Sequence, residues 1–469
     1  MNIKTNGVIK NFSYSFLANA TNTVISMILV LVVPKLIGVK EYSYWQLYLF
    51  YTSYVGFFHF GWADGIYLKF GGKKYEEIDK NYFNTQFWLL TFMEILVAIL
   101  LGAGTMILCK DADKSFILIM TGLCCVLQIP RTFLQYILQA TNRIADYAKN
   151  YFLEKIVYAI LVAAFLLIGV RDYNYLIVSD LFARMVTLLL LVYQCRDIVF
   201  KKISHIGQGI KDAWDNISIG SKLLFANIAS LLLVGIVRFA IENYWGVETF
   251  GRVSLSVTAS NLLMVLINAV SVVLYPMLKN IPEDRYVEMY DKMKVGLMVP
   301  VLGMLVVYYP AKVILSWWLP QYAESLRYMA LLFPICVFES KNSMIVNTYL
   351  KALRKEKFLM RASWFAVGVS LVCSAVFVYI LHDLNLSIAC IPVILGVRCY
   401  VGEAILAKEL KVNIWKDVLV EIGLVVVFIL VSWNVESMIS TLVYLCCYLI
   451  YVKGRWSSFA DIFLKKVKK

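Results

Sequence analysis

The sequence predicts an all-α integral membrane protein with about 14 transmembrane helices in two related halves. Three observations predict it. Of 469 residues, 61% are apolar and only 16% charged, and the mean hydropathy of +0.73 lies far above that of soluble globular chains. Apolar stretches of the roughly 20 residues that carry a helix across a bilayer core recur from near Phe12 to near Tyr451. The first helix pair also reappears, gap-free, 208 residues downstream.

These observations exclude a soluble enzyme and leave no room for a large soluble domain. The ten cysteines lie almost all inside apolar stretches with no CxxC spacing, so they read as small buried hydrophobes, neither a disulfide frame nor a metal site. The net charge of +14 is not a nucleic-acid footprint, because the basic residues collect in short segments between apolar runs. The first run, about Phe12 to Val33, is longer than a signal-peptide core and is followed by Pro34, Lys35 and Gly38, so it is expected to remain as the first helix.

Hydropathy with aromatic and basic flanks places helix starts near Asn11, Tyr42, Phe83, Ser115, Asn150, Asn174, Ile219, Thr249, Val295, Glu324, Phe358, Leu386, Asp417 and Ser437. With the N-terminus in the cytoplasm, 32 Lys/Arg fall inside and seven outside. The insertion bias toward cytoplasmic positive charge therefore fixes both termini inside. An error in the helix count would break that alternation. The connection from about Cys195 to Ser218 is the largest, cytoplasmic and amphipathic.

The repeat lays Ser13 on Ser221, Ala18 on Ala226, Asn19 on Asn227, Ile28 on Ile236, Gly38 on Gly246, Val39 on Val247, Leu47 on Leu255 and Tyr67 on Tyr275. Register gives these eight identities their weight: one offset aligns the polar Asn, the Gly-Val between helices and the exit Tyr. Six helices separate the copies, so both share one orientation. Such a parallel repeat is a transporter architecture.

In the first helix Ser15, Asn19, Asn22 and Ser26 form one polar stripe, and lipid will not face it. Asn227 and Ser230 hold the equivalent places in the seventh helix, and the same face continues to Arg238. Ser254, Thr258, Asn261 and Asn268 make a similar face in the eighth. The reading favoured is a polar cavity lined by these faces; the competing one is interhelical hydrogen bonding alone, worth about 0.6 kcal/mol per bond.

Six cations, Arg131, Arg184, Arg238, Lys312, Lys341 and Arg398, and five acids, Glu94, Asp180, Glu242, Glu339 and Glu403, fall deep in helices. Each buried charge costs at least about 2.5 kcal/mol and needs a partner, water or a substrate. Asp180 with Arg184, and Arg238 with Glu242, have the spacing of pairs within a helix. Arg131 has no acid at helical spacing, and Glu403 lies five positions from Arg398, a poor fit. Arg131, Arg238 and Arg398 are therefore the candidates for an anionic ligand. Glu94, alone among Phe, Met, Ile and Leu, and secondarily Asp64 are the candidates for ion coupling. Lys312 and Lys341 rank lower because long stems can carry their ammonium groups to an interface. No HExxH, Walker A, GxSxG or paired-carboxylate loop occurs, and no cofactor is expected.

HFGWADGIYLKFGG, from His59 to Gly72, resembles the end of the second helix of Wzx-type polysaccharide flippases. IGVKEYSYW from Ile37 and WGVETFGRV from Trp245 are similar to that superfamily's turn after helices one and seven, and QATNRIADYAKNY from Gln139 is similar to its link between helices four and five. The resemblance implies the multidrug/oligosaccharidyl-lipid/polysaccharide exporter fold: two pseudo-symmetric six-helix bundles around a cavity lined by helices one, two, seven and eight, with helices thirteen and fourteen outside that core. Boundaries are then 1–200 for the first bundle, 201–218 for the linker, 219–410 for the second bundle and 411–469 for the last two helices and basic tail. The first helix lacks the arginine found in the peptidoglycan lipid II flippase, which argues against that relative.

The function implied is translocation of an undecaprenyl-diphosphate-linked oligosaccharide across the bacterial cytoplasmic membrane for O-antigen, capsule or exopolysaccharide assembly. Arg131, Arg238 and Arg398 would meet the diphosphate, while Asn19, Asn22, Asn227 and Ser230 line the cavity. Membrane lipid, a polysaccharide polymerase and chain-length machinery are the implied partners; nucleic acid is not. The alternatives are a cation-coupled multidrug exporter of the same superfamily and a membrane-embedded polysaccharide ligase or polymerase. The short outer loops disfavour the last.

Overall fold

The computed structural model describes residues 25–203, 205–262, 264, 267, 274, 278, 281–435 and 437–463. The predicted start at Asn11, and with it Asn19 and Asn22, lies outside them, as does Asn268. The described residues form helices and turns without a strand. They divide into two compact units, Met1–Ile228 and Ala229–Lys469.

The first unit holds α1 (Ile25–Leu36), α2 (Val39–Thr52), α3 (Trp62–Phe70), α4 (Lys80–Leu108), α5 (Ala112–Ala140), α6 (Ile144–Ile168), α7 (Tyr173–Gln194) and the short α8 (Arg196–Val199). It also holds the first part of α9 (Ile206–Trp245), a helix of 40 residues that runs on into the second unit. There follow α10 (Val247–Asn261), α11 (Tyr286–Trp318), α12 (Ser325–Ala352), α13 (Glu356–Ile380), α14 (Leu384–Leu410), α15 (Trp415–Asn434) and α16 (Met438–Phe463).

Ten of these helices are long and apolar enough to cross a membrane. Large apolar side chains such as Leu96, Ile99, Leu100, Ile160, Leu167, Leu371, Val372, Leu419 and Ile450 stand exposed along them. Exposed apolar surface on that scale belongs in lipid. The protein is a multi-pass membrane protein.

Aspartates set several helix starts. Asp79, Asp111, Asp172 and Asp383 precede α4, α5, α7 and α14, and each accepts hydrogen bonds from backbone N–H groups of the first turn. Such a cap satisfies donors that the helix leaves free and is worth about 1 kcal/mol. Its charge also suits the positive end of the helix dipole. The aligned glycines of the repeat stand at the same place without a side-chain bond: Gly38 is the N-cap of α2 and Gly246 of α10.

The second helix is broken. Ser53 ends α2, a single 3₁₀ turn spans Val55–Phe57, and Phe60 (φ 51°) with Gly61 (φ 89°) turn the chain left-handed before α3 begins. His59 Nδ1 stabilises the corner by accepting from the Gly61 N–H at 3.0 Å. The break brings α3 against α9 with almost no space between backbones. A Cβ on Gly61 would lie 2.6 Å from the Ser221 nitrogen, and one on Gly65 would overlap the Asn216 carbonyl. Small residues permit this approach, as in membrane helix pairs generally. Around it, Asn216 donates to Tyr82 at 2.7 Å and Gln86 donates to the Gly209 carbonyl at 2.8 Å. The Trp62 indole donates to Gln86 at 2.7 Å.

The predicted starts at Tyr42, Phe83, Ser115, Asn174, Thr249, Glu324, Phe358, Leu386, Asp417 and Ser437 fall close to observed ones. Three helices start earlier than predicted: at Ile144 rather than Asn150, at Tyr286 rather than Val295 and at Ile206 rather than Ile219. Most of the segment read as a linker is a polar, amphipathic extension of α9, bonded to α4 and packed closely on α3.

Candidate functional site

Within the first unit, α5 is the central element, packed by α2, α3, α4 and α7. It carries Arg131 one turn from Gln128 and Gln135. Arg131 is buried and ion-paired with Glu154 of α6. The expectation that Arg131 lacks a carboxylate is therefore corrected: the partner comes from the neighbouring helix. Asp180 and Arg184 pair along α7 as their spacing predicts, with Arg184 Nε donating to Asp180 Oδ2 at 2.7 Å. The Tyr48 hydroxyl donates to the same oxygen at 2.8 Å, and Arg184 also donates to Gln128, so α2, α5 and α7 meet at one buried knot.

Glu94 on α4 is 0% exposed, and neither carboxyl oxygen has a hydrogen-bond partner among the described residues. It does not pair with Arg131. Asp64, at the start of α3, is buried, accepts from the Tyr136 hydroxyl and lies 3.9 Å from His59 Nε2.

Beyond the spanning segments, Asp197 of α8 is ion-paired with Lys80 and accepts from the Tyr75 hydroxyl at 2.8 Å. Burial pushes the Asp197 carboxyl up, but these two donors outweigh it and hold the group below the ordinary carboxylate range. The same burial and the adjacent carboxylate push the Tyr75 hydroxyl up. Asn84 donates to the Ile198 and Val199 carbonyls at 2.9 Å and fastens α8 to α4.

In the second unit, Arg238 of α9 is half-buried. Its Nη2 donates to Ser254 Oγ at 2.8 Å, and its guanidinium lies 4.9 Å from the Phe250 ring centre. Asn227, at the end of the first unit, and Ser230 are exposed on α9. Thr258 continues the α10 face, donating to the Ser254 carbonyl at 2.8 Å. Arg398 of α14 is ion-paired with Glu339 of α12. The expectation that Arg398 lacks a well-placed acid is therefore corrected: its partner is Glu339, on another helix.

Lys341 requires the larger correction. It does not reach an interface; it is 1% exposed and stands between two carboxylates, Glu403 Oε2 at 2.5 Å and Glu421 Oε2 at 2.6 Å. Tyr290 of α11 donates to Glu403 Oε1 at 2.8 Å. Lys341 is also the last residue before a π-helical stretch, Asn342–Asn347, a distortion that often marks functional positions. Glu421 lies on α15, so the thirteenth helix is tied to α12 and α14 by buried charge. Sequence reasoning missed Glu421 and Glu154. Each lies deeper in a mainly apolar helix than that helix's other acid, Asp417 in α15 and Asp146 in α6, a weaker form of the signal that singles out Glu94.

No family model matches the sequence, and no curated protein matches it. Solved structures do. The lipid II flippase MurJ in an inward closed conformation is similar over 98% of this chain and 100% of its own, with a TM-score of 0.64 and 12% identity. A multidrug resistance MATE family transporter of the MOP superfamily, in an inward-facing conformation, is similar over 82% of this chain and 96% of its own, with a TM-score of 0.59 and 12% identity. An outward-facing structure of a MATE family transporter covers 86% of this chain and 96% of its own at a TM-score of 0.51 and 11% identity. The chain has the fold these transporters share.

Proposed function

We propose that the protein is a MOP-superfamily flippase that moves an undecaprenyl-diphosphate-linked oligosaccharide from the cytoplasmic to the outer leaflet of a bacterial cytoplasmic membrane. The observation that supports this reading is the extent of likeness: MurJ, a lipid II flippase by name, matches 98% of the chain, the inward-facing MATE transporter 82% of it. Arg238 is a contact for the diphosphate, since it is only half-buried on the α9 face that also carries Asn227 and Ser230 and a guanidinium can take a charge-assisted bond. Arg131 and Arg398 can contribute only by loosening Glu154 and Glu339. Asn19, Asn22, Asn227 and Ser230 supply hydrogen bonds to sugar hydroxyls, and Glu94, with Asp64 second, carries the coupling ion.

Complementation of a flippase-deficient host tests the reading. Arg238→Ala should abolish surface polysaccharide at normal membrane abundance, and Arg238→Lys should restore part of it. Full export after changing Arg131, Arg238 and Arg398 together would sink the anion-binding role. Glu94→Gln should remove the dependence of transport on an imposed pH gradient in reconstituted vesicles. With both termini cytoplasmic, Lys110→Cys should label from outside and Gln208→Cys from inside. The second reading, a cation-coupled drug exporter, is favoured by the MATE likeness and predicts drug resistance conferred without any effect on surface polysaccharide.

A further inference from the structure

Lys155 stands at the middle of α6 and Arg184 at the middle of α7, consecutive helices that pack together in the first unit. The observed start of α6 at Ile144 carries Lys155 to membrane depth, where a start at Asn150 would leave it near an interface. It is half-buried, and the charges acting on it are those of Asp180, Arg184 and Arg131. Both acids at this place are committed, Glu154 to Arg131 and Asp180 to Arg184. Lys155 itself has no ion pair or hydrogen bond among the described residues. The other deep acids of the first unit do not reach it: Asp64 is bonded to Tyr136 near His59, and Glu94 makes no bond among the described residues. Residues 1–24, outside the described ones, contain no Asp or Glu. Within this unit three cations therefore stand with two carboxylates, and a lone cation at such depth is costly.

Lys155 could shed its proton, or an anion could join it. Two further groups decide between these. Arg131 Nε and Gln135 Nε2 are buried without a hydrogen-bond partner among the described residues, and they lie one turn apart on the same face of α5. A buried N–H left unbonded carries its own penalty, which a neutral lysine does nothing to relieve. An oxyanion answers the charge and the donors together. We propose that Lys155, with Gln135 and the Arg131 Nε–H, binds one singly charged phosphoryl group. Lys155 supplies the charge; Arg131, whose own charge stays committed to Glu154, and Gln135 supply hydrogen bonds to the remaining oxygens. Inorganic phosphate can carry a single charge, and so does each phosphoryl of a diphosphate esterified at both ends. The second source rests on the flippase reading above; the site itself does not.

Melting temperature of the purified protein in detergent tests this, in mildly acidic, phosphate-free buffer at constant ionic strength, where added inorganic phosphate is mostly singly charged. The wild type should gain stability saturably with sodium phosphate or with a short-chain dialkyl diphosphate. Lys155→Met, which removes the lone charge, should melt above the wild type without either ligand and gain nothing from them; Lys155→Gln serves if the Met variant does not fold. Lys155→Arg should keep the gain, and Gln135→Leu should weaken binding about tenfold, the loss of one hydrogen bond to a charged group. Tenfold tighter binding of the diphosphate marks a lipid-borne ligand, and tighter binding of inorganic phosphate marks a free ion. No gain in the wild type, or an equal gain in Lys155→Met, overturns the proposal. So does tighter binding in Glu94→Gln, which would make Glu94 the missing counter-charge. Binding is read without transport, so failure here leaves the flippase reading standing, and failed complementation leaves this site standing.

Discussion

In the first unit Arg131 meets one carboxylate, Glu154, and Arg184 meets one, Asp180, whereas in the second unit Lys341 is shared by Glu403 and Glu421. The number of carboxylates per cation decides what each cluster can do. A balanced buried pair has no reason to exchange a proton, and removing either member strands the other. A cation shared by two carboxylates keeps a partner when one of them is removed. Among the described residues, Glu94 of the first unit has no hydrogen-bond donor on either carboxyl oxygen. The first unit thus leaves one acid apart, whereas the second shares one cation between two.

The largest expected effect breaks this comparison if it fails. Arg131→Met should destabilise by about 3–5 kcal/mol, the usual result of leaving one buried charge alone, while Glu421→Gln should cost under about 1 kcal/mol because Lys341 retains Glu403. Thermal unfolding in detergent measures both, and equal losses would mean that charge balance is not what separates the clusters. Adding Glu154→Met to Arg131→Met should recover most of the loss.

A smaller effect compares the two caps of the repeat. Gly246 has φ 85° and ψ 175°, a region essentially confined to glycine, while Gly38 has φ −70° and ψ 162°, open to any residue. Neither has an atom within 4 Å of where a Cβ would stand, so backbone strain alone separates them. Gly246→Ala should cost about 1–3 kcal/mol and Gly38→Ala close to nothing, both read from melting temperature. Equal costs would mean that the two turns relax alike.

The third prediction concerns Asp197, whose carboxyl in the folded protein lies below its ordinary range. Its stabilising contribution is then fully present above the ordinary carboxylate range and lost as pH falls through the depressed value. Wild-type melting temperature should drop across that acid window more than that of Asp197→Asn. The smallest effect is at Glu94, where Glu94→Gln should change stability by no more than about 0.5 kcal/mol, since its carboxyl bonds nothing that the amide would forfeit.

Much of the architecture could be read from local signals. Apolar run length, aspartate caps at Asp79, Asp111, Asp172 and Asp383, and the Gly-Val turn depend on residues close in the chain, and the helix starts followed. The pairing Asp180–Arg184 was legible for the same reason. Arg131 with Glu154, Arg398 with Glu339 and Lys341 with its two acids join different helices, and no periodicity of a single helix reveals which neighbour supplies the partner. The early start of α9 is hidden by composition: residues 206–218 include Lys211, Asp212, Asp215 and Asn216, which read as a solvated connection until the bonds of Asn216 and of the Gly209 carbonyl to α4 are seen.

The length of α9 has a mechanical consequence. At about 1.5 Å per residue its 40 residues form a rod of roughly 60 Å. Within the first unit its leading part is held by the glycine seam at Gly61 and Gly65 and by the Asn216 bond to Tyr82. Backbone contact that close leaves this stretch of helix no freedom to roll about its axis. Glycine seams are usually read as packing; here the seam is also a key that sets the rotational position of the rod.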